Sequence, residues 1–222
     1  MKPLHDTTLF TRIGLGVLAH LTREYGRAEP PVAADGAPAA TGRVILVTSA
    51  RPGEGKSFVA HGLAMALAEQ QDGDVVWVDA AFGTAGDAGD SSRRGAAGLS
   101  EIMTLGSLQG LAPAGVGRDR LWRLGRGVLA QPALLQRPDD VAKGLTALRA
   151  GFALIVLDAP SLAGCGALLA QADACVLVVD SRRTSRREAR QALGEAPLES
   201  GRLAGLVLNH RPRPIPRWLG GD

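Results

Sequence analysis

Two glycines, a lysine and a serine stand together at Gly53-Glu54-Gly55-Lys56-Ser57, after the apolar β-branched run Arg43 to Thr48 and before a helical pattern that begins at Lys56. Residues of these types at this spacing can hold phosphate. Gly53 and Gly55 let backbone N–H groups curl around an anion, Lys56 reaches the terminal phosphates, and the Ser57 hydroxyl can meet Mg²⁺ at the positive end of the helix. The pattern Gly-x-x-x-x-Gly-Lys-Ser/Thr fails only at its first place, occupied by Ala50. A tight turn with a solvated lysine is the plainer alternative, and it leaves the two glycines unexplained. The candidate nucleotide-binding set is Pro52, Gly53, Glu54, Gly55, Lys56, Ser57 and Phe58.

A triphosphate carries Mg²⁺, and Mg²⁺ takes carboxylates from the ends of neighbouring strands. Asp79 ends the run Val75 to Val78, and Asp158 ends the run Ala153 to Leu157. With Ser57 they form a candidate metal set, and with Lys56 a candidate catalytic set. Each aspartate could instead cap its strand.

These residues need a scaffold, and the hydropathy pattern supplies one. Strand-like runs at Arg43 to Thr48, Asp74 to Val78, Phe152 to Leu157, Ala174 to Val179 and Leu203 to Leu208 alternate with helical stretches. One helical stretch spans Lys56 to about Gln70 and another ends near Leu148. Apolar strands without polar alternation, separated by helices, predict a mostly parallel sheet covered on both faces, hence an α/β, three-layer P-loop NTPase fold. The stretch Gly83 to Gly98 is rich in Gly, Asp, Ser and Ala and is expected to form a mobile loop beside the nucleotide.

At the N-terminus, Phe10, Ile13, Val17 and Leu21 recur at helical spacing, which predicts an amphipathic helix weakened by Gly14 and Gly16. Packing on its own domain is the commoner use of such a helix; a membrane-surface or partner helix is the alternative. The Ala/Pro/Gly composition that follows reads as a linker. The expected organisation is an N-terminal helix in 1–26, a linker in 27–41, a P-loop ATPase-like domain in 42–210 and a basic, Pro-rich tail in 211–222.

Length and composition fit this plan. At 222 residues, with 45% apolar and 21% charged side chains, the chain suffices for one sizeable α/β core. A net charge of only +3 gives little reason to expect a nucleic-acid partner. Cys165 and Cys175, the two cysteines, stand in apolar surroundings and read as reduced core thiols of a cytoplasmic protein. No window approaches the roughly 20 apolar residues of a membrane span, so work at the inner membrane would require recruitment.

From Arg43 to Asn209 the chain resembles the bacterial tyrosine autokinases of capsule and exopolysaccharide synthesis, relatives of the MinD and ParA ATPases. The resemblance rests on Ser49 to Ser57 with a small residue other than Gly at the first place, and on Asp79, Gly98-Leu99-Ser100-Glu101 and Asp158-Ala159-Pro160. It continues through Arg183-Thr184-Ser185-Arg186-Arg187 and Val207-Leu208-Asn209. It implies ATP and Mg²⁺ as cofactors and an adenine contact for Asn209, which could equally just end its strand.

The departures limit what the resemblance implies. The family's second acidic residue after the second strand is Ala81 here, and its following basic residue is Gly83. Loss of a positioned catalytic group commonly costs about 10² to 10⁴ in rate, so phosphoryl transfer should weaken while binding survives. Replacement of the missing acid by Asp87 or Asp90 is the alternative. The terminal tyrosine cluster is missing, and Tyr25 is the sole tyrosine. The N-terminal helix also lacks the family's ring-forming Glu-x-x-Arg pattern, which leaves a homodimer of the MinD kind open. The tail alternates Pro and Arg, which favours an extended chain over a membrane helix. The expectation is an ATP-binding regulatory subunit of polysaccharide synthesis or export, partnered by a separate membrane chain-length regulator or synthase complex. An active tyrosine kinase or ATPase of the same pathway, or a ParA/MinD-like positioning ATPase, are the alternatives.

Overall fold

The structure is a computed structural model and describes residues 7–25, 42–83, 97–109, 114–116 and 120–210. The expected linker, most of the expected mobile loop with Asp87 and Asp90, and the tail lie outside the described residues.

The described strands form a seven-stranded sheet in the order β3-β4-β2-β5-β1-β6-β7. Its members are β1 (Arg43–Ser49), β2 (Val75–Asp79), β3 (Ala114–Gly115), β4 (Leu121–Leu124), β5 (Leu154–Asp158), β6 (Ala174–Asp180) and β7 (Leu203–Asn209). Every pairing is parallel except that of β3 with β4. The parallel strands therefore end on one edge. In register there, Asp79 is beside Asp158, Asp158 beside Val47, and Asp180 beside Asn209.

Successive residues of a strand face opposite sides, and the apolar runs use both. Val44, Leu46, Val76, Val78, Ile155 and Leu157 bury against one face, together with α3 (Leu99–Leu105), α4 (Pro138–Gly151) and α5 (Gly166–Gln171). Ile45, Val47, Val75, Val156, Val176 and Val178 bury against the other, beneath α2 (Lys56–Gln70) and α1 (Thr7–Tyr25). The remaining helix, α6 (Arg186–Glu195), follows β6. A three-layer α/β fold results, as the hydropathy pattern predicts.

The N-terminal helix packs on its own domain. Val17 and Leu21 are buried in the same cluster as Leu63 and Leu67 of α2. Phe10 lies over Gly62, where a side chain would collide with its ring, and meets Phe58 edge-on at 5.5 Å. The burial of this face outweighs the two helix glycines, and α1 runs to Tyr25, within the expected 1–26. The strand expected from Phe152 starts only at Leu154, because Phe152 caps α4 through its N–H to the Leu148 carbonyl at 3.0 Å. Four short elements, β3, β4, α3 and α5, have no counterpart in the sequence reading.

Candidate nucleotide-binding site

The loop joining β1 to α2 lies on the edge where the parallel strands end. Gly53 and Gly55 adopt left-handed backbone angles, φ 81° and 89°. At Gly55 a Cβ would also strike the side-chain amide of Asn209. Lys56 opens α2 and is 8% exposed, next to the partly exposed Ser57. The loop thus presents backbone N–H groups, an ammonium and a hydroxyl at a helix N-terminus, a donor set for phosphate.

Glu54 holds this loop in place. Its carboxylate, 1% exposed, accepts hydrogen bonds from Arg51 N at 2.8 Å, Asp180 N at 2.9 Å and the Thr184 hydroxyl at 2.6 Å. Its side chain is therefore a brace directed into the protein, which leaves only its backbone N–H for an anion. The Asn209 amide donates to the Glu54 carbonyl at 2.9 Å and accepts from His210 N at 2.9 Å. Asn209 thus ties β7 to the loop. Phe58 turns its ring toward Phe10, so any part it takes in anion binding falls to its backbone. Pro52 is exposed at the loop's rim.

The structure brings Asp79 and Asp158 together as neighbouring strand ends. Asp158 is 2% exposed. Asp79 is engaged: its Oδ2 accepts from Arg126 Nε at 2.8 Å, and its Oδ1 accepts from Ala81 N at 3.1 Å. Sequence reasoning missed Arg126. Its only signal is a basic residue set between Gly125 and Gly127 just after β4. Another nitrogen of that guanidinium, Nη2, is buried with no acceptor among the described residues. Ala81 is itself buried, so a methyl occupies the place of the family's second acid. Ser57, Asp158 and Asp79 are hard oxygen donors that suit Mg²⁺, but one carboxylate already carries a fixed cation.

Two further clusters border the site. On β6, Asp180 meets His210 Nδ1 at 3.0 Å and Arg182 Nε at 3.4 Å. The Arg182 backbone N–H, with its guanidinium and His210, holds the Asp180 carboxyl below its ordinary value against the opposing effect of burial. On α3, Glu101 accepts from Gly98 N at 2.6 Å, Val128 N at 2.9 Å and Leu129 N at 3.0 Å. Gly98-Leu99-Ser100-Glu101 is thus a clamp on the strand-end loop that carries Arg126.

Tyr25 lies at the far edge, where the parallel strands begin. Its hydroxyl donates to the Asp173 carbonyl at 3.2 Å and its ring sits under the Arg43 guanidinium, 4.3 Å away. Arg43 opens β1, whose seven residues span about 20 Å before the phosphate loop starts, so Tyr25 does not reach its own loop.

The fold is shared with bacterial tyrosine-kinase domains. The VpsO kinase domain matches with a TM-score of 0.66 at 21% identity, over 95% of this chain and 100% of that one. The kinase domain of Escherichia coli tyrosine kinase ETK matches at 0.64 and 18% identity, over 92% and 79%. A ParA family ATPase from Chlorobium tepidum TLS matches at 0.57 and 22% identity, over 75% and 73%. No protein-family profile and no curated protein sequence matches the chain. Among the described residues no helix is long and apolar enough to cross a membrane.

Proposed function

We propose that this protein is an ATP-reading regulatory subunit of exopolysaccharide synthesis or export, which binds Mg-ATP and does not autophosphorylate a tyrosine tail. The observation that carries this reading is a contrast within one site. The phosphate loop has its left-handed glycines and buried lysine in place, while the acidic side is reduced by Ala81 and occupied at Asp79 by Arg126. Binding groups are intact and transfer groups are depleted.

In this reading the backbone N–H groups of Gly53 to Ser57 cradle the phosphates and Lys56 neutralises their outer oxygens. Ser57 and Asp158 hold the metal, joined by Asp79 where it exchanges Arg126 for Mg²⁺. Asn209 borders the base. The loop is tied through Glu54 to the turn before α6, so occupancy biases the surface around that helix and with it docking on a membrane chain-length regulator or synthase complex. In this reading the protein works in the cytoplasm and is recruited to the inner membrane through that partner.

Calorimetric titration with Mg-ATP and Mg-ADP, followed by a phosphate-release assay on the same sample, tests the proposal. Micromolar binding without turnover, abolished in Lys56→Ala, is the expected result. Unchanged affinity in Lys56→Ala overturns the site, and turnover lost in Asp79→Ala replaces the regulatory reading with an active kinase or ATPase.

A further inference from the structure

We propose that Arg183 is a phosphate-contacting residue of this site, which meets the terminal phosphate of a bound triphosphate and sets a preference for ATP over ADP. The proposal rests on the nucleotide-binding reading of the loop and adds to it a residue from another element.

Three observations converge. The Arg183 guanidinium overhangs the phosphate loop, with Nη1 3.4 Å from the place a Cβ on Gly53 would occupy. It is an exposed cation with no ion pair among the described residues, while its neighbours are engaged. Arg51 pairs with Glu188 at 2.9 Å and Arg182 with Asp180 at 3.4 Å. The turn that carries it is fixed to the loop. Arg183 N and Thr184 N both donate to the Asp180 carbonyl at 3.0 Å, and Glu54 accepts from Asp180 N and the Thr184 hydroxyl.

A second cation held over a loop that already carries Lys56 and a ring of N–H dipoles is unfavourable when the loop is empty, and an anion converts that repulsion into attraction. The guanidinium suits the task, because its planar fork matches two oxygens of one phosphate. The inner phosphates are enclosed by the loop's own N–H groups, and Lys56 reaches the outer oxygens from the helix side of the loop. The charge left for a guanidinium on the rim is that of the terminal phosphate, which ADP lacks.

Titration of wild type, Arg183→Ala and Arg183→Lys with Mg-ADP and with the Mg complex of a non-hydrolysable ATP analogue tests this. Arg183→Ala should bind the analogue about tenfold more weakly and ADP within about twofold of wild type, since one charge-assisted contact at an exposed position is lost. Arg183→Lys should recover part of the analogue's affinity by charge without the fork. Equal weakening for both nucleotides, or none for either, overturns the role of Arg183 while the loop assignment stands. A wild-type protein that binds neither nucleotide overturns both readings, and unchanged melting temperatures exclude misfolding as the cause of any loss.

Discussion

At Gly55 two independent constraints fall on one residue. Its backbone is left-handed at φ 89°, and its missing side chain leaves room for the Asn209 amide that braces the loop. A left-handed non-glycine residue costs about 1–2 kcal/mol. Gly55→Ala adds to this a collision with Asn209 or the loss of that residue's bond to Glu54. Nucleotide binding should be lost while the sheet stays folded, with the melting temperature falling by about 2–8 °C. Making the same change in an Asn209→Ala background separates the two effects, because the collision disappears and the backbone strain remains. If Gly55→Ala costs the same stability in both backgrounds, the close approach of Asn209 plays no part.

Elements differ in how plainly the sequence announces them. The bounds of α2 match the expected Lys56 to Gln70, since its Ala- and Leu-rich run follows a glycine turn, and the long parallel strands are recognisable as unbroken β-branched runs. Short β4 and seven-residue α3 contain too few residues to set up a period, and their stability comes from partners far along the chain. The same holds inside the site. Lys56, Ser57 and the strand-end aspartates follow from local pattern. The Arg126–Asp79 pair and the bonds from Asp180 N and the Thr184 hydroxyl to the Glu54 carboxylate follow from folding, because they join residues the sequence separates widely. Glu101 shows what such a contact does for an element. Burial alone would raise its carboxyl, but the N–H groups of Gly98 and Leu129, with further bonds, outweigh burial and lower it. A carboxyl lowered on folding contributes stability that is complete above its unfolded value and is lost as pH falls through its folded value. Hydrogen exchange at Val128 and Leu129 should therefore rise selectively in acid below the usual glutamate range, once the intrinsic pH dependence is divided out. At neutral pH, Glu101→Gln should accelerate exchange there by about tenfold. Exchange at these two amides that is indifferent to Glu101→Gln would show that the loop is held by other means.

For the whole molecule, the two thiols report on how the layers hold together. Burial pushes Cys165 up to about 11, against a lowering bond from the Thr48 hydroxyl, and pushes Cys175 up to about 12, with a small addition from Cys165. At pH 8 the thiolate fraction of either is then on the order of 10⁻³ or less, and no solvent path reaches a fully buried sulfur. A thiol reagent should leave the native protein unlabelled on the timescale on which it labels the unfolded chain, and the slow residual rate should track opening of the core. Cys175 sits within β6 beside Leu46 of β1, so its exposure requires the centre of the sheet to part. Cys165 lies in the connection after β5, on the strand-end side with the phosphate loop, so a local opening would expose it first. Mg-ATP at about 100 times its Kd should slow labelling of Cys175 about a hundredfold if the nucleotide binds only the folded protein, since that is the population shift such a ligand imposes. Labelling of Cys175 that ignores Mg-ATP in a protein shown to bind it would mean that the sheet opens without releasing the nucleotide, and the phosphate loop would then be a separate cooperative unit from the core beneath it.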